Sequence, residues 1–154
     1  MADAYLTALR MLARRELSEQ QIRDRLTKRE FDEADVAEAV ARLRQDRSLD
    51  DRRVAGAMAR LEILTRRHGR MRAERQMKAA GLAPDLIREA LEATLADTDA
   101  DELIAAAVAR RLRHGQTIQD DAHFRRLYRY LIGQGFGSSQ ALAALKAHRT
   151  RREE

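Results

Sequence analysis

The chain is predicted to be all-α: three tandem three-helix repeat units forming an elongated, curved array. Three observations predict this. The first is composition. Of 154 residues, 44% are hydrophobic but only 4% aromatic, with no tryptophan and a single proline, Pro84. The core must therefore rest on leucine, isoleucine, valine, methionine and alanine, and alanine, leucine, arginine, glutamine and glutamate all enter helices at little cost. The second is an absence of pattern: no segment sustains the apolar/polar alternation of a half-buried strand. The third is a repeat. The stretches "IRDRLTKREFDEADVAEAVARL" from Ile22, "AERQMKAAGLAPDLIREALEAT" from Ala73 and "LYRYLIGQGFGSSQALAALKAH" from Leu127 superpose on Phe31, Leu82 and Phe136, which lie 51 and 54 residues apart. Five residues before these anchors stand Leu26, Met77 and Leu131; five after stand Val36, Ile87 and Ala141; nine after stand Val40, Leu91 and Leu145. An apolar frame recurring at this period marks stacked helical units, each needing its neighbour to bury a face.

The units are expected at 1–47, 48–97 and 98–148, followed by a charged tail at 149–154. Each is expected to run long helix, short helix, medium helix. The long helices present Tyr5, Leu9 and Leu12; Val54, Met58 and Leu61; and Ile104, Val108 and Leu112, spaced to share one helical face. Ser18 with Gln21 forms a capping-box pattern for the second helix of unit one. Ser48 with Asp51 is expected to cap the long helix of unit two, where Asp50 and Asp51 suit the positive end of the dipole. Gly81 suits the position just past a helix end and Pro84 the first turn of the next. Thr98 or Asp99 is expected to start the long helix of unit three, and Ser138 or Ser139 to cap its last. The loop "HGQTIQDDAH" (114–123) is longer than its counterparts, so unit three diverges most, as terminal repeats do.

The formal net charge of +5 is uneven. Residues 1–50 hold 10 basic and 11 acidic side chains, whereas 51–97 and 98–154 each hold 10 basic and 7 acidic. The basic excess points to an acidic or phosphate-bearing partner. Cysteine is absent, which rules out a disulfide framework and thiolate metal sites and fits a reducing compartment. The opening residues have no apolar signal-peptide core. The longest uncharged apolar run, "LIAAAVA" (103–109), is far too short to cross a bilayer. The chain reads as soluble and cytoplasmic, with no membrane partner.

Arginine pairs recur near the ends of the long helices: Arg14 and Arg15, Arg66 and Arg67, Arg110 and Arg111. Any single pair is accounted for by favourable interaction with a helix C-terminus, about 0.3–1 kcal/mol per exposed cation. Three pairs, with Arg70, Arg72 and Arg75 beside the second and Arg113, Arg125, Arg126 and Arg129 near the third, suggest a continuous stripe. Arginine bonds carboxylates and phosphates in bidentate fashion, so such a stripe would meet an acidic protein surface or a nucleic-acid backbone.

"ALRMLARRELSEQQIRDRL" (8–26) and "SLDDRRVAGAMARLEILTRRHGRMRAERQMKAAGL" (48–82) resemble the RecX regulators of the RecA recombinase. In that family an alanine/leucine-rich helix runs into a basic pair, a serine and a short helix. Its central signature of Leu-Asp-Asp, two residues, a Phe-Ala step, a basic helix, a glycine and a short helix ending in Gly-Ile falls here on Leu49, Asp50, Asp51, Ala55, Gly69, Arg72, Gly81 and Leu82. Leu17 stands where the family prefers tyrosine, Val54 where it prefers phenylalanine, and Ala80 where it prefers lysine. The resemblance implies a modular helical protein that binds the RecA filament on single-stranded DNA and mainly restrains RecA ATPase, strand exchange and filament growth, regulating DNA repair and recombination. It also implies no cofactor and no catalytic activity. A monomer is expected. The competing reading is a helical protein that binds single- or double-stranded DNA directly through the arginine stripe.

Other chemistry is set aside on spacing. "DTDAD" (97–101) mimics the start of a calcium loop, but Glu102 and Val108 occupy positions that need glycine and glutamate. It reads as an acidic helix N-terminus. "GQGFG" (133–137) follows no strand and reads as an inter-helix turn. His68 and His114 read as capping side chains, while His123 and His148 lack partner spacing for a metal. Tyr128 and Tyr130 among Arg125, Arg126 and Arg129 would suit single strands as a basic-aromatic patch. The plainer reading puts one ring in the core and the other along the surface.

Overall fold

The computed structural model describes residues 2–113 and 116–150, and every regular element among them is helical. The first unit comprises α1 (Ala4–Leu12), α2 (Glu19–Lys28) and α3 (Glu33–Gln45). The second comprises α4 (Asp51–Arg60), extended by a π-helical turn over Leu61–Thr65, then α5 (Arg70–Ala79) and α6 (Pro84–Ala96). The third comprises α7 (Ala100–Arg111), α8 (Asp121–Gly133) and α9 (Ser138–Thr150). In each unit the first helix packs on the third: α1 on α3, α4 on α6, α7 on α9. The expected long–short–medium pattern holds only in part. With nine residues α1 is the shortest helix of its unit, and α8, with 13, is longer than α7, with 12.

The repeat is visible in the backbone. Each middle helix ends in a Schellman motif that brings its anchor residue back onto the helix. The Phe31 N–H donates to Leu26 O at 3.3 Å, Leu82 to Met77 O at 3.3 Å, and Phe136 to Leu131 O at 3.1 Å. The preceding residue takes positive φ each time: Glu30 at 67°, Gly81 at 79° and Gly135 at 98°. Beyond their apolar character the anchors share this turn, which satisfies carbonyls left over at a helix end.

The same turns join the units. The N-terminus of α5 abuts the C-terminus of α8: Gly69 N–H donates to Gln134 O at 2.7 Å and Met71 N–H to Gly135 O at 3.1 Å. No side chain caps α5, because carbonyls of the next unit accept its leading amides. A Cβ on Gly69 would lie 2.4 Å from Gly135 C, and one on Gly135 2.4 Å from Arg72 N. One unit back, the N-terminus of α2 meets the C-terminus of α5 through a side chain instead. The Ser18 hydroxyl donates to Ala80 O, and a Cβ on Gly81 would lie 2.4 Å from Gln20 Cβ. The middle helices thus form a head-to-tail row, α8 to α5 to α2, with dipoles aligned. Glu30 holds the corresponding position at the end of α2, and as it is exposed, a side chain fits where Gly81 and Gly135 admit none.

The buried apolar side chains fall into two clusters. Unit one has its own, built on Ala8, Leu17, Ile22, Leu26, Val40 and Leu43, whereas units two and three share one that runs from Val54 to Leu145. The joint between units one and two is instead largely polar. Glu19 N–H donates to Asp51 Oδ1 at 2.8 Å and Arg53 Nε pairs with Glu16 at 2.9 Å, while Arg44, within unit one, pairs with Glu19 beside the joint. Burial raises the Asp51 carboxyl above its ordinary value, with Glu19 adding to the effect against the Glu19 amide. Burial also pushes Glu19 upward, but the Arg44 and Arg23 guanidinium groups outweigh it and hold Glu19 below its ordinary value.

Several local expectations shift by a position. The capping box at Ser18 and Gln21 is present, and Pro84 is the first residue of α6. The N-cap of α4, however, is Asp50 rather than Ser48, and its carboxylate accepts from Arg52 N and Arg53 N. Asp99 caps α7, while the Thr98 hydroxyl turns back to Leu95 O at 3.0 Å. Neither Ser138 nor Ser139 caps α9: Gly137 O accepts the first intrahelical bond, from Ala141, so Gly137 holds that position. In α1 the buried face is Ala4, Ala8 and Met11, with Tyr5, Leu9 and Leu12 at its margin. Alanine counted too little in the periodicity, and the helix turns its smallest side chains inward to approach α3.

These contacts fix two stability predictions. Gly135→Ala breaks the α5–α8 junction and places a Cβ at positive φ, so it should cost roughly 2–4 kcal/mol. Glu30→Gly relieves the same conformation at the end of α2 and should stabilise by about 0.5–1 kcal/mol. Urea melts of both variants beside the parent chain check the opposite signs. For Asp51, a folded-state pKa above its unfolded value means its favourable contribution is complete below about pH 4 and is lost as pH rises through the folded pKa. Asp51→Asn, which keeps an acceptor for Glu19, should therefore raise the urea midpoint at pH 7, with the gain vanishing below about pH 4.

Candidate functional site

The arginines picked out by sequence divide into those that build the edge and those left unengaged on it. The π-helical turn decides much of this. Its extra residue per turn rotates Glu62 and Ile63 inward and Leu61 and Leu64 outward. This overturns the expectation that Leu61 shares the buried face of Val54: Leu61 is 40% exposed, and Glu62, at 1%, takes its place inside. Both Glu62 oxygens are used. Oε1 accepts from the Arg66 guanidinium and Oε2 faces His68 Nδ1, each at 2.5 Å. His68 is thus a side-chain partner of a buried carboxylate, not the expected cap; His114 lies outside the described residues. The signal for Glu62 was its spacing of four from Arg66, with nothing to show that the acid would be buried.

Arg110 carries the second link. Its guanidinium crosses from α7 to the end of the π turn, donating to Arg66 O at 2.9 Å and Thr65 O at 3.4 Å. These carbonyls end a helix, so the cation meets the negative pole of the dipole. The basic pairs of units two and three therefore converge. Arg15 joins from unit one, since it and Arg66 line one cleft of about 520 Å³ between α2, α4 and α5.

Arg111 stacks over Tyr130 of α8, 4.3 Å from the ring centroid, and Arg126 lies one helical turn before that ring. Both Tyr128 and Tyr130 are half-buried against the shared core, so the expectation of one core ring and one surface ring is replaced by two rings at its margin. Arg125, Arg126 and Arg129 occupy the exposed face of α8. Arg113 is elsewhere: it lines a separate groove between α7 and α9 with Gln140 and His148. Arg72 is half-buried with its backbone against Gly135. Arg14, Arg67, Arg70 and Arg75 are exposed, and their side chains have no hydrogen-bond or ion-pair partner among the described residues.

Among the described residues no group of three His, Asp or Glu side chains is placed to hold a metal ion, and the Asp99 carboxylate in "DTDAD" is engaged in capping α7. The turn "GQGFG" connects α8 to α9. No helix of the described residues is long and apolar enough to cross a membrane.

Comparison with known proteins places this architecture. The family model for RecX, first three-helix domain, matches residues 4–43. The "Regulatory protein RecX" of Acidithiobacillus ferrooxidans (strain ATCC 53993 / BNL-5-31) is 31% identical over 151 residues, spanning 97% of this chain and 93% of that protein. The chain belongs to the RecX family. Another RecX relative, from Streptomyces lividans, is 31% identical over 152 residues, covering 94% of this chain and 76% of its own length. Two solved structures share the fold. "Crystal structure of regulatory protein RecX" aligns with a TM-score of 0.79 at 22% identity over 94% of this chain and 70% of that one. "Crystal structure of RecX from Lactobacillus salivarius" aligns at 0.73 and 18% identity over 96% and 95%. RecX relatives are named as regulatory proteins, in keeping with a chain whose distinctive chemistry is a cationic surface.

The Glu62 cluster yields a prediction. Glu62→Ala leaves His68 and the Arg66 guanidinium without their acceptor and opens a void beside Ile63, so it should destabilise by about 2–3 kcal/mol. Glu62→Gln retains an acceptor of the same size and should cost less than half as much. Paired chemical melts read both values.

Proposed function

We propose that this RecX-family chain binds the RecA filament on single-stranded DNA and mainly restrains its ATPase, strand exchange and growth. It would act in the cytoplasm in the regulation of recombination, repair and the SOS response. In this reading residues 1–47, 48–97 and 98–148 are three contact modules, 149–154 is a charged extension, and the chain works as a monomer without cofactor or catalysis. One observation carries the proposal: Arg110 ties the basic end of unit three to that of unit two, beside Arg67, Arg70 and Arg75, whose guanidinium groups no acid among the described residues neutralises. Their charge is available to a partner at no cost in internal ion pairs. Several modest contacts on linked modules also gain from high effective concentration. Inhibition follows if the chain prefers one filament state over others, since a ligand shifts an equilibrium only by its differential affinity.

Direct binding to DNA is the second reading, favoured by the exposed Arg125, Arg126 and Arg129 on α8 beside the stacked Tyr130. A phosphate-driven complex weakens steeply with salt, by a slope set by the phosphates neutralised.

The decisive variant reverses Arg67, Arg70 and Arg75 to glutamate. Arg66 and Arg72 are unsuitable, the one because it neutralises buried Glu62, the other because it packs against Gly135. The triple variant should keep its helicity and melting midpoint yet lose at least tenfold in inhibition of RecA ATPase on single-stranded DNA, assayed at amounts below one chain per RecA protomer. Undiminished inhibition rejects this placement of the contact. Inhibition that appears only as bare DNA is saturated supports the second reading instead.

A further inference from the structure

The cleft between units one and two has a chemistry of its own. Its floor is aliphatic, formed by Ala57, Met58 and Leu61 of α4 and its π turn, and Leu61 is 40% exposed there. Its rim carries Arg15, Arg66 and Gln76. Two carboxylates also line it, and each is paired with a cation of the chain. Glu16 is paired with Arg53 at 2.9 Å, and both Glu62 oxygens are taken by Arg66 and His68. Arg15 and Gln76 make no side-chain hydrogen bond or ion pair among the described residues. Arg66 spends one guanidinium nitrogen on Glu62 and keeps others for donation. The walls thus offer a visitor apolar contact and positive donors. The volume of about 520 Å³ accommodates one or two large side chains and suits small-ligand or side-chain sites generally.

We infer that this cleft receives a protein segment presenting one large apolar side chain flanked, within a helical turn, by a carboxylate. The apolar side chain covers Met58 and Leu61, and the carboxylate bridges Arg15 and Arg66. The lining favours protein over nucleic acid, because it contains no aromatic ring on which a base would stack. Charge complementarity selects an acidic segment over a basic one, as both lining acids are internally neutralised. The inference rests on the filament-binding reading above, in that the segment belongs to a recombinase protomer. It also makes the first unit a second point of attachment, distinct from the Arg67, Arg70 and Arg75 edge. Docking across the polar joint would fix units one and two relative to each other.

The test measures binding of the full chain to recombinase filaments preassembled on oligo(dT), and separately to bare oligo(dT), by fluorescence anisotropy. Ala57→Trp fills the cleft from its floor, and Arg15→Glu reverses its rim at an exposed turn outside both cores. Each should weaken filament binding at least tenfold while binding to bare oligo(dT) and the circular dichroism spectrum stay within twofold and unchanged, respectively. Arg15→Lys should retain most of the affinity. Filament binding equal to the parent chain in both Ala57→Trp and Arg15→Glu overturns the inference, and if the Arg67, Arg70 and Arg75 reversal loses binding in the same series, the filament reading survives that failure. Parallel loss on bare oligo(dT) also overturns it, by putting nucleic acid in the cleft. A parent chain that binds no filament removes both readings together.

Discussion

The contact on which this architecture depends is the end-to-end meeting of middle helices, where donors at the start of one helix, amides in one case and a hydroxyl in the other, find the trailing carbonyls of its neighbour. Gly69 and Met71 donate to Gln134 and Gly135, and the Ser18 hydroxyl donates to Ala80. A helix end buried without partners is costly, and here two ends satisfy one another. The geometry demands that the final turn carry no Cβ, which fixes Gly81 and Gly135, and each Schellman turn aims its anchor residue into the core. The outer helices then pack where this row leaves them. The row also explains the convergence of cations: once α5 is butted against α8, the C-termini of α4 and α7 come close enough for Arg110 to span them.

Arginine does two kinds of work in this chain, and position decides which. Arg44, Arg53, Arg66 and Arg110 hold units or turns together by pairing with acids or helix-end carbonyls. Most are partly exposed, where an isolated pair contributes at most about 1 kcal/mol. Their effect is chiefly to set geometry. Arg14, Arg67, Arg70 and Arg75 have no such duty, so the surplus of positive charge is concentrated on side chains the fold does not consume.

The three-unit frame was legible because its anchors are apolar residues at constant offsets, and such offsets survive divergence when each unit solves the same packing problem. The capping box at Ser18 and the Gly81–Pro84 punctuation were legible because each needs particular residue types. The buried face of α1 was misread because Ala4 and Ala8 look weak beside Tyr5 and Leu9, though close approach to α3 selects small side chains. The π turn was invisible, as no residue type encodes it, and with it went the burial of Glu62 and the exposure of Leu61. The arginine stripe was legible in outline. Which guanidinium groups stay unengaged, and that Arg113 opens onto a different groove, depended on contacts distant in the chain, such as Arg110 with Arg66 and the packing of α7 on α9.

The two joints between units are unlike in kind. Units two and three share one continuous apolar interior, while unit one is fastened to unit two chiefly by the Ser18 hydroxyl, the Glu19 amide and the Arg53–Glu16 ion pair. Ionic strength and acidity act on the second kind of fastening far more than on the first. Added salt should therefore loosen unit one from unit two while leaving the shared interior of units two and three intact.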